Sequence, residues 1–367
     1  MTTATRPLEF GWFLPTGGDT ITYGSKDGIV PPSIELFEKI ALAAEVAGFE
    51  YLLVPVATAC WDAYISSAMV LARTRRIRML VAARPGYVTP VLLARMLGAM
   101  DRLSGGRVAV NLIAGQSDDE ALQDGIRLSK EDRYAQMEED VTIMKALWTQ
   151  SAPLHFEGRF HSLHGARAIP RPRKAPSFYL GGGSRQAWEL SAKHSDVHLF
   201  WGDTVETIAA NMSIIKTLAA GYGRGEELGF GMRLQIICRE TESQAWDAAH
   251  ALLAGVTDAD TDLIRKHYAS SVANQRVQEL ARTHGELIGP HLWTGITRVR
   301  PGAGIVVVGN PEQCAATLQQ FIDIGCHSFC LSGYLHDEEA TRFGQMVRPL
   351  LALRNPGRMP LTETGPK

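Results

Sequence analysis

The sequence predicts an α/β chain folded as a (β/α)8 TIM barrel with insertions, and three observations carry that expectation. Apolar runs of strand length alternate with segments of helical spacing along most of the chain, the pattern of a parallel sheet with right-handed crossovers. The length, 367 residues, suits one barrel of roughly 250 residues or more with added segments. One strand, residues 177–180, ends abruptly in Gly181, Gly182, Gly183 and Ser184 and turns into a helix. Glycines let the backbone approach an anion, Ser184 can cap the helix, and the helix dipole favours a dianionic phosphate there. A tight turn is the alternative reading of those glycines taken alone.

The elements follow in order. Residues 8–14 form a strand that runs into Pro15, Thr16, Gly17, Gly18 and Asp19, and 34–47 then carry helical spacing through Leu36, Phe37, Ile40, Ala44 and Ala47. Strand and helix alternate again at 51–55 and 63–73, then at 78–83 and 90–103. A strand at 107–113 leads through a polar stretch, 115–132, into a long helix at 133–148, and a connection of that length reads as functional. Pro170, Pro172 and Pro176 with Phe156 and Phe160 mark 153–176 as an extended excursion or small hairpin. After the glycine-ended strand and its helix, 185–194, come a strand at 197–201, a helix at 205–222, one long strand at 229–239 and a helix at 243–254. The stretch 258–301 is long, polar and charged, and reads as a lid or an insertion beside the site, with one or two short helices. A strand at 305–308, a helix at 311–324, a strand at 328–332 and a helix at 338–353 complete the chain. Of the nine strand-like segments, 305–308 is the one set outside the eightfold barrel. The whole is expected as one domain, 1–355, with a loose tail at 356–367.

A net charge of -2 argues against general attraction to nucleic acid or an anionic membrane, so small molecules are the expected partners. Five cysteines, an odd number without a C-x-x-C pair, suggest a reducing compartment. Residues 1–6 lack the apolar core of a signal peptide, and no segment reaches the roughly 20 apolar residues of a membrane span. The expectation is a cytoplasmic chain. His155, His161, His164 and His194 have no partners at metal spacing, and no metal is expected.

A barrel of this kind carries its chemistry at the carboxyl ends of its strands. The polar residues there are Thr16, Asp19, Cys60, Asp62, Arg84, Asn111, Gln116, Trp201, Arg233, Gln235, Tyr334 and His336, with Arg300 joining from the insertion. Arg84, Arg233 and Arg300 make this mouth a place for an anion. Arg233 lies among apolar neighbours, where a guanidinium must be paired. The partner is either Glu240 or a helix carboxylate, or else a ligand that suits its planar fork. Arg300 reads as a second ligand group or as a solvated charge, and Cys60 as a small buried residue or as part of the mouth. Trp201 reads as barrel-top packing or as a stacking surface. Asp19 and Asp62 read as turn and N-cap residues.

Seven stretches, in order, carry a resemblance. They are Phe13-Leu14-Pro15-Thr16, Met100 through Arg107, Asp132-Arg133-Tyr134, Gly182-Gly183-Ser184, Gly231-Met232-Arg233-Leu234, Val299 through Gly304, and Leu331 through His336. Together they resemble the bacterial luciferase-like flavin monooxygenases, and within them the two-component alkanesulfonate monooxygenases and their sulfoquinovose monooxygenase relative. The resemblance implies reduced FMN supplied by a separate NAD(P)H-dependent reductase, dioxygen as co-substrate, cleavage of a carbon–sulfur bond to sulfite and an aldehyde, and a dimer or tetramer. It implies that Tyr134, Gly182, Gly183 and Ser184 hold the FMN phosphate and that Ala83 and Asn111 line the isoalloxazine. It implies further that Cys60, Trp201, Arg233, Arg300, Tyr334 and His336 form the sulfonate-side pocket, with Arg233, Arg300, Tyr334 and His336 as the catalytic set.

Gly17 and Gln235 stand where the alkanesulfonate enzymes carry histidine. Both changes remove an imidazole that titrates near neutral pH. Gly17 opens volume and Gln235 offers an amide donor and acceptor, which places both in the substrate site and favours a sulfonate bearing hydroxyls. Sulfoquinovose is therefore the leading substrate expectation, with an alkanesulfonate or methanesulfonate as the alternative. Other readings are a deazaflavin-dependent dehydrogenase of the same superfamily, a binding-only barrel and an unrelated TIM-barrel hydrolase. The sulfonate-type arginine pair speaks against the dehydrogenase, and the lack of a carboxylate pair or metal cluster at the strand ends against the hydrolase.

Overall fold

Eight parallel strands close into a barrel in the computed structural model of the protein, which describes residues 6–115, 118–267, 271–300 and 302–359. In chain order they are β1 (Glu9–Phe13), β2 (Tyr51–Val54), β3 (Arg78–Ala83), β4 (Val108–Leu112), β5 (Phe178–Gly181), β6 (Val197–Trp201), β7 (Gly229–Arg233) and β8 (Ser328–Leu331). Each strand pairs in parallel with the next, and β8 closes the ring against β1.

Side chains alternate across each strand, so one set fills the barrel and the other meets the helices. Tyr51, Leu53, Leu80, Ala109, Tyr179, Val197, Leu199 and Cys330 form the inner cluster. Phe10, Trp12, Leu52, Val81, Leu180 and Met232 belong to the larger core between strands and helices. Both sets are apolar, which is why the strands read as continuous hydrophobic runs. Gly11 of β1 yields its place to the neighbouring ring, since a Cβ there would lie 2.0 Å from Tyr51 Cε2. The amino-terminal end of the barrel is plugged by polar contacts. Arg78 meets Glu9 at 2.7 Å, the Tyr179 hydroxyl donates to the same carboxylate, and the Tyr51 hydroxyl lies 3.1 Å from Ser328 Oγ. The opposite end carries the connecting loops, and there the cavity lies.

Helices begin where capping residues stand. Ser33, Asp62, Ser184 and Thr204 each accept from the backbone N–H three residues on, which satisfies one of the orphan donors of the first turn. Asp62 is thus the N-cap its sequence position predicts.

The long strand expected at 229–239 is two strands. β7 ends at Arg233, and Gln235–Cys238 pairs instead with Val306–Gly309 in a separate four-stranded sheet completed by Leu292–Trp293 and Leu287–Gly289. The apolar run is continuous across Leu234, so hydrophobicity alone does not mark where the pairing partner changes. The segment near 305–308 lies outside the barrel, in this second sheet. The excursion near 153–176 contains a hairpin, Leu154–Glu157 with Ser162–Ala166. The insertion folds into helices Asp258–His267 and Val272–His284. No helix among the described residues is long and apolar enough to cross a membrane.

Candidate active site

A cavity of about 550 Å³ opens at the carboxyl ends of the strands. At one side β5 runs out into the glycine stretch. Gly182 adopts φ +141, and a Cβ on it would sit 2.9 Å from Ala187 Cβ and 3.5 Å from the Tyr134 hydroxyl. Only glycine fits that backbone at low cost. Ser184 caps Arg185–His194 by accepting from Ala187 N at 3.2 Å, and its Oγ lies 3.5 Å from the Tyr134 hydroxyl. Glycine backbone, helix start, hydroxyl and phenol therefore converge on the cavity wall, the donor set a phosphate needs. Lys130, one helical turn before Tyr134, lines the same cavity, as do Ser271 and Val272 from the insertion. Sequence reasoning missed Lys130, although its spacing from Tyr134 on the helix Lys130–Thr149 is the available signal.

Asn111 lines the cavity, as expected, beside Leu53 and Leu199. Ala83 does not. It packs in the outer core, while Ala82 is the residue in register with Asn111. Ala83 has the opposite parity to Asn111's partner and so faces the helices, and neither alanine lines the cavity.

Across the cavity stand Arg233 and Arg300, both over the Phe13 ring, at 4.7 and 5.3 Å from its centroid. Arg233 is buried, and its Nη1 donates to the Leu234 carbonyl at 2.8 Å and to Ser332 Oγ at 3.0 Å. Burial pulls its pKa down, and the neighbouring Arg300 adds to that. Arg300 is half-buried, and its Nη1 is shut off from solvent with no acceptor. Burial would lower this group too, yet the Tyr334 and Tyr23 hydroxyls and the Asp19 carboxylate outweigh it and hold the pKa up. Among the described residues neither arginine forms a salt bridge, so the proposed pairing of Arg233 with Glu240 is absent. Arg84 is different. It meets Glu120 at 2.7 Å and Asp124 at 3.6 Å, and is not available as the third anion-binding arginine of the mouth.

Tyr334 and His336 follow β8 and line the cavity. The Tyr23 hydroxyl donates to the Tyr334 hydroxyl at 2.7 Å, and burial pushes both phenols up, so both keep their protons at neutral pH. His336 is buried against Asp19, the residue read from sequence as a turn former. Trp201 and Cys60 also line the wall. Burial raises the half-buried Cys60 thiol, which therefore stays protonated.

Two substrate-side expectations change. Gln235 does not reach the cavity. It is buried in the second sheet, where its Nε2 donates to the Ala303 carbonyl at 2.8 Å, so it braces the segment after Arg300 from behind. Gly17 does line the cavity but leaves no spare room, because a Cβ there would come within 2.7 Å of the Ala59 carbonyl. The turn carrying Cys60 occupies the volume that a side chain would take. Gln116 lies outside the described residues.

A family model of luciferase-like monooxygenases matches residues 8–328. The chain belongs to that family. Among solved structures, this luciferase-like chain resembles riboflavin lyase RcaE with modified FMN and riboflavin (TM-score 0.80, 16% identity, covering 99% of this chain and 94% of that one). It resembles EDTA monooxygenase EmoA from Chelativorans sp. BNC1 (0.75, 16%, 98% and 96%). F420-dependent secondary alcohol dehydrogenase shares the fold as well (0.66, 15%, 94% and 99%). At these identities the likeness is one of fold, and the site must speak for the chemistry.

Proposed function

We propose that this luciferase-like protein is a two-component monooxygenase that uses reduced FMN and dioxygen to cleave the carbon–sulfur bond of an organosulfonate, releasing sulfite and an aldehyde. The observation that carries the substrate class is the pair Arg233 and Arg300: two guanidinium groups enclosed at one cavity wall, without a carboxylate partner among the described residues, one of them with an orphaned N–H. Enclosed cations without counter-ions are costly. A sulfonate supplies one full negative charge and three acceptor oxygens, which two planar forks can share.

Gly182, Gly183, Ser184, Tyr134 and Lys130 fit the phosphate of FMN, and Asn111 with Leu199 lies where its ring system would rest. When bound, reduced FMN supplies the electrons that activate dioxygen, delivered by a separate NAD(P)H-dependent reductase. The chain's own residues do the rest. Arg233 and Arg300 hold the sulfonate and neutralise the charge that would repel an oxygen nucleophile, an effect of about 3 kcal/mol per well-placed donor. Tyr334 with Tyr23, and His336 with Asp19, provide the groups able to hand over or take a proton. The insertion, through Val272 and Arg300, walls the cavity against water.

Gly17 and Gln235 no longer single out a sugar, since one is filled by a backbone turn and the other lies behind the wall. The proposal therefore stays at the organosulfonate class, with sulfoquinovose as its hydroxylated member. The test is sulfite release from sulfoquinovose, methanesulfonate and a medium-length alkanesulfonate with FMN, NAD(P)H and a flavin reductase. Sulfite from any of them supports the reading. No sulfite from this panel, with hydride transfer from reduced F420 instead, would replace it by the deazaflavin alternative.

A further inference from the structure

Asp19 and His336 are 317 residues apart in sequence and are joined by two hydrogen-bond contacts, with a third reaching Asp19 from Thr20. The Asp19 carboxylate accepts from His336 N at 2.8 Å, lies 2.8 Å from His336 Nδ1, and accepts from Thr20 N at 2.8 Å. Both side chains are buried, and His336 lies on the cavity wall with its Nε2 enclosed and without a partner. We propose that Asp19 is a positioning residue: it holds the proton of His336 on Nδ1, and so leaves Nε2 as an acceptor at the sulfonate end of the cavity.

The chemistry of the acceptor requires this arrangement. A carboxylate offers lone pairs to all three N–H groups, which is the state an aspartate adopts among such donors. Burial alone would raise the Asp19 carboxyl, but attraction to the charge His336 carries when protonated, then the ring and backbone N–H of His336 and the Thr20 N–H, reverse that and hold it below its usual range. Burial lowers His336 in turn. Asp19 opposes the shift, whereas Arg300 and Arg233, facing from the insertion and from β7, reinforce it. Tyr334 packs edge-on to the imidazole, with Tyr23 behind it on the Tyr334 hydroxyl. The ring is therefore neutral at rest. A proton taken at Nε2 places an imidazolium against the carboxylate that already holds Nδ1, and returning it restores the resting pair. No step needs another co-reactant. The positioning itself stands apart from the sulfonate reading, while the role of Nε2 in turnover rests on it.

The experiment combines a spectrum with kinetics. Histidine-selective 15N NMR of the ligand-free protein is expected to show the His336 nitrogens in the Nδ1–H tautomer. In Asp19→Asn the side chain has one acceptor oxygen and one amino group, so at least one of the three N–H donors must face another donor; with the amino group turned to His336 Nδ1 the tautomer inverts, and a mixture is expected. Turnover of that variant is expected to fall about 10²-fold, mainly in kcat, with the pH profile displaced. His336→Asn keeps a donor toward Asp19 but lacks Nε2, and is expected to fold with the wild-type melting temperature and the same loss of turnover. An Nε2–H tautomer in the wild type would overturn the proposal whether or not sulfonates are substrates. So would an Asp19→Asn enzyme with unchanged kcat and pH profile.

Discussion

Arg233 and Arg300 share one ring, Phe13, and neither meets a carboxylate among the described residues. Like charges held this close are repulsive, and the aromatic face offsets only part of that, about 0.5–2 kcal/mol for each cation–π contact. For Arg233 burial and this repulsion both pull the pKa down, whereas at Arg300 burial is outweighed by Tyr334, Tyr23 and Asp19 and the pKa is held up. Arg300→Met is expected to stay folded, melting at or slightly below the wild-type temperature because it loses the favourable field of Asp19 along with the repulsion from Arg233, and to lose turnover by about 10²-fold or more. Thermal unfolding beside steady-state kinetics checks both halves, and a variant both unstable and active would contradict the assignment.

Gln235 reaches the site at second hand. Gln235→Leu leaves the Ala303 carbonyl without its donor, at a cost of about 1–3 kcal/mol in urea unfolding. The same change is expected to raise KM more than it lowers kcat, because the segment bearing Arg300 loses its brace. A loss of turnover with unchanged stability would return Gln235 to direct substrate contact.

The glycine stretch is expected to discriminate FMN from riboflavin. Gly182→Ala places a methyl 2.9 Å from Ala187 Cβ at a φ that favours glycine, so FMN affinity falls while riboflavin, lacking the phosphate, changes little. Tyr134→Phe removes one donor and is expected to weaken FMN by about tenfold. Flavin fluorescence titrations read both. Equal losses for the two flavins would move the phosphate elsewhere.

Two buried imidazoles set an acid limit. Burial lowers His198, whose Nδ1 lies 2.7 Å from Ser191 Oγ, to about 3, and His327 to about 4. Unfolded histidine titrates near 6.5, so below that pH the unfolded chain binds more protons than the folded one. Stability is complete above pH 6.5 and falls as pH drops toward those folded values, by about 1.4 kcal/mol per unit for each ring. Urea unfolding at pH 7.5 and 5.5 is expected to show the decline, and a flat profile would mean that both rings titrate alike in the two states.

The barrel was legible because strand and helix periods alternate and because the glycines after β5 stand where a parallel sheet binds anions. Arg233 was legible for a related reason: a guanidinium between apolar neighbours demands a partner. What stayed hidden were facts of parity and distance. Ala83 and Ala82 differ by one position and face opposite ways. Gln235 moved out of the site because the chain changes partners at Leu234, inside an unbroken apolar run. Asp19 looked like a turn residue because its partner lies at the other end of the sequence. Gly17 was read as space, whereas the structure fills that space with the Ala59 carbonyl.

The central claim is that the Arg233 and Arg300 wall receives a sulfonate in an oxygen-using flavin enzyme. Its most direct test is the ratio of sulfite formed to dioxygen consumed, measured with reductase-supplied FMN for the wild type and for Arg300→Met. The account predicts sulfite in proportion to dioxygen for the wild type, and dioxygen consumption without sulfite when Arg300 is gone. Sulfite release that is independent of dioxygen, or undiminished in Arg300→Met, would contradict it.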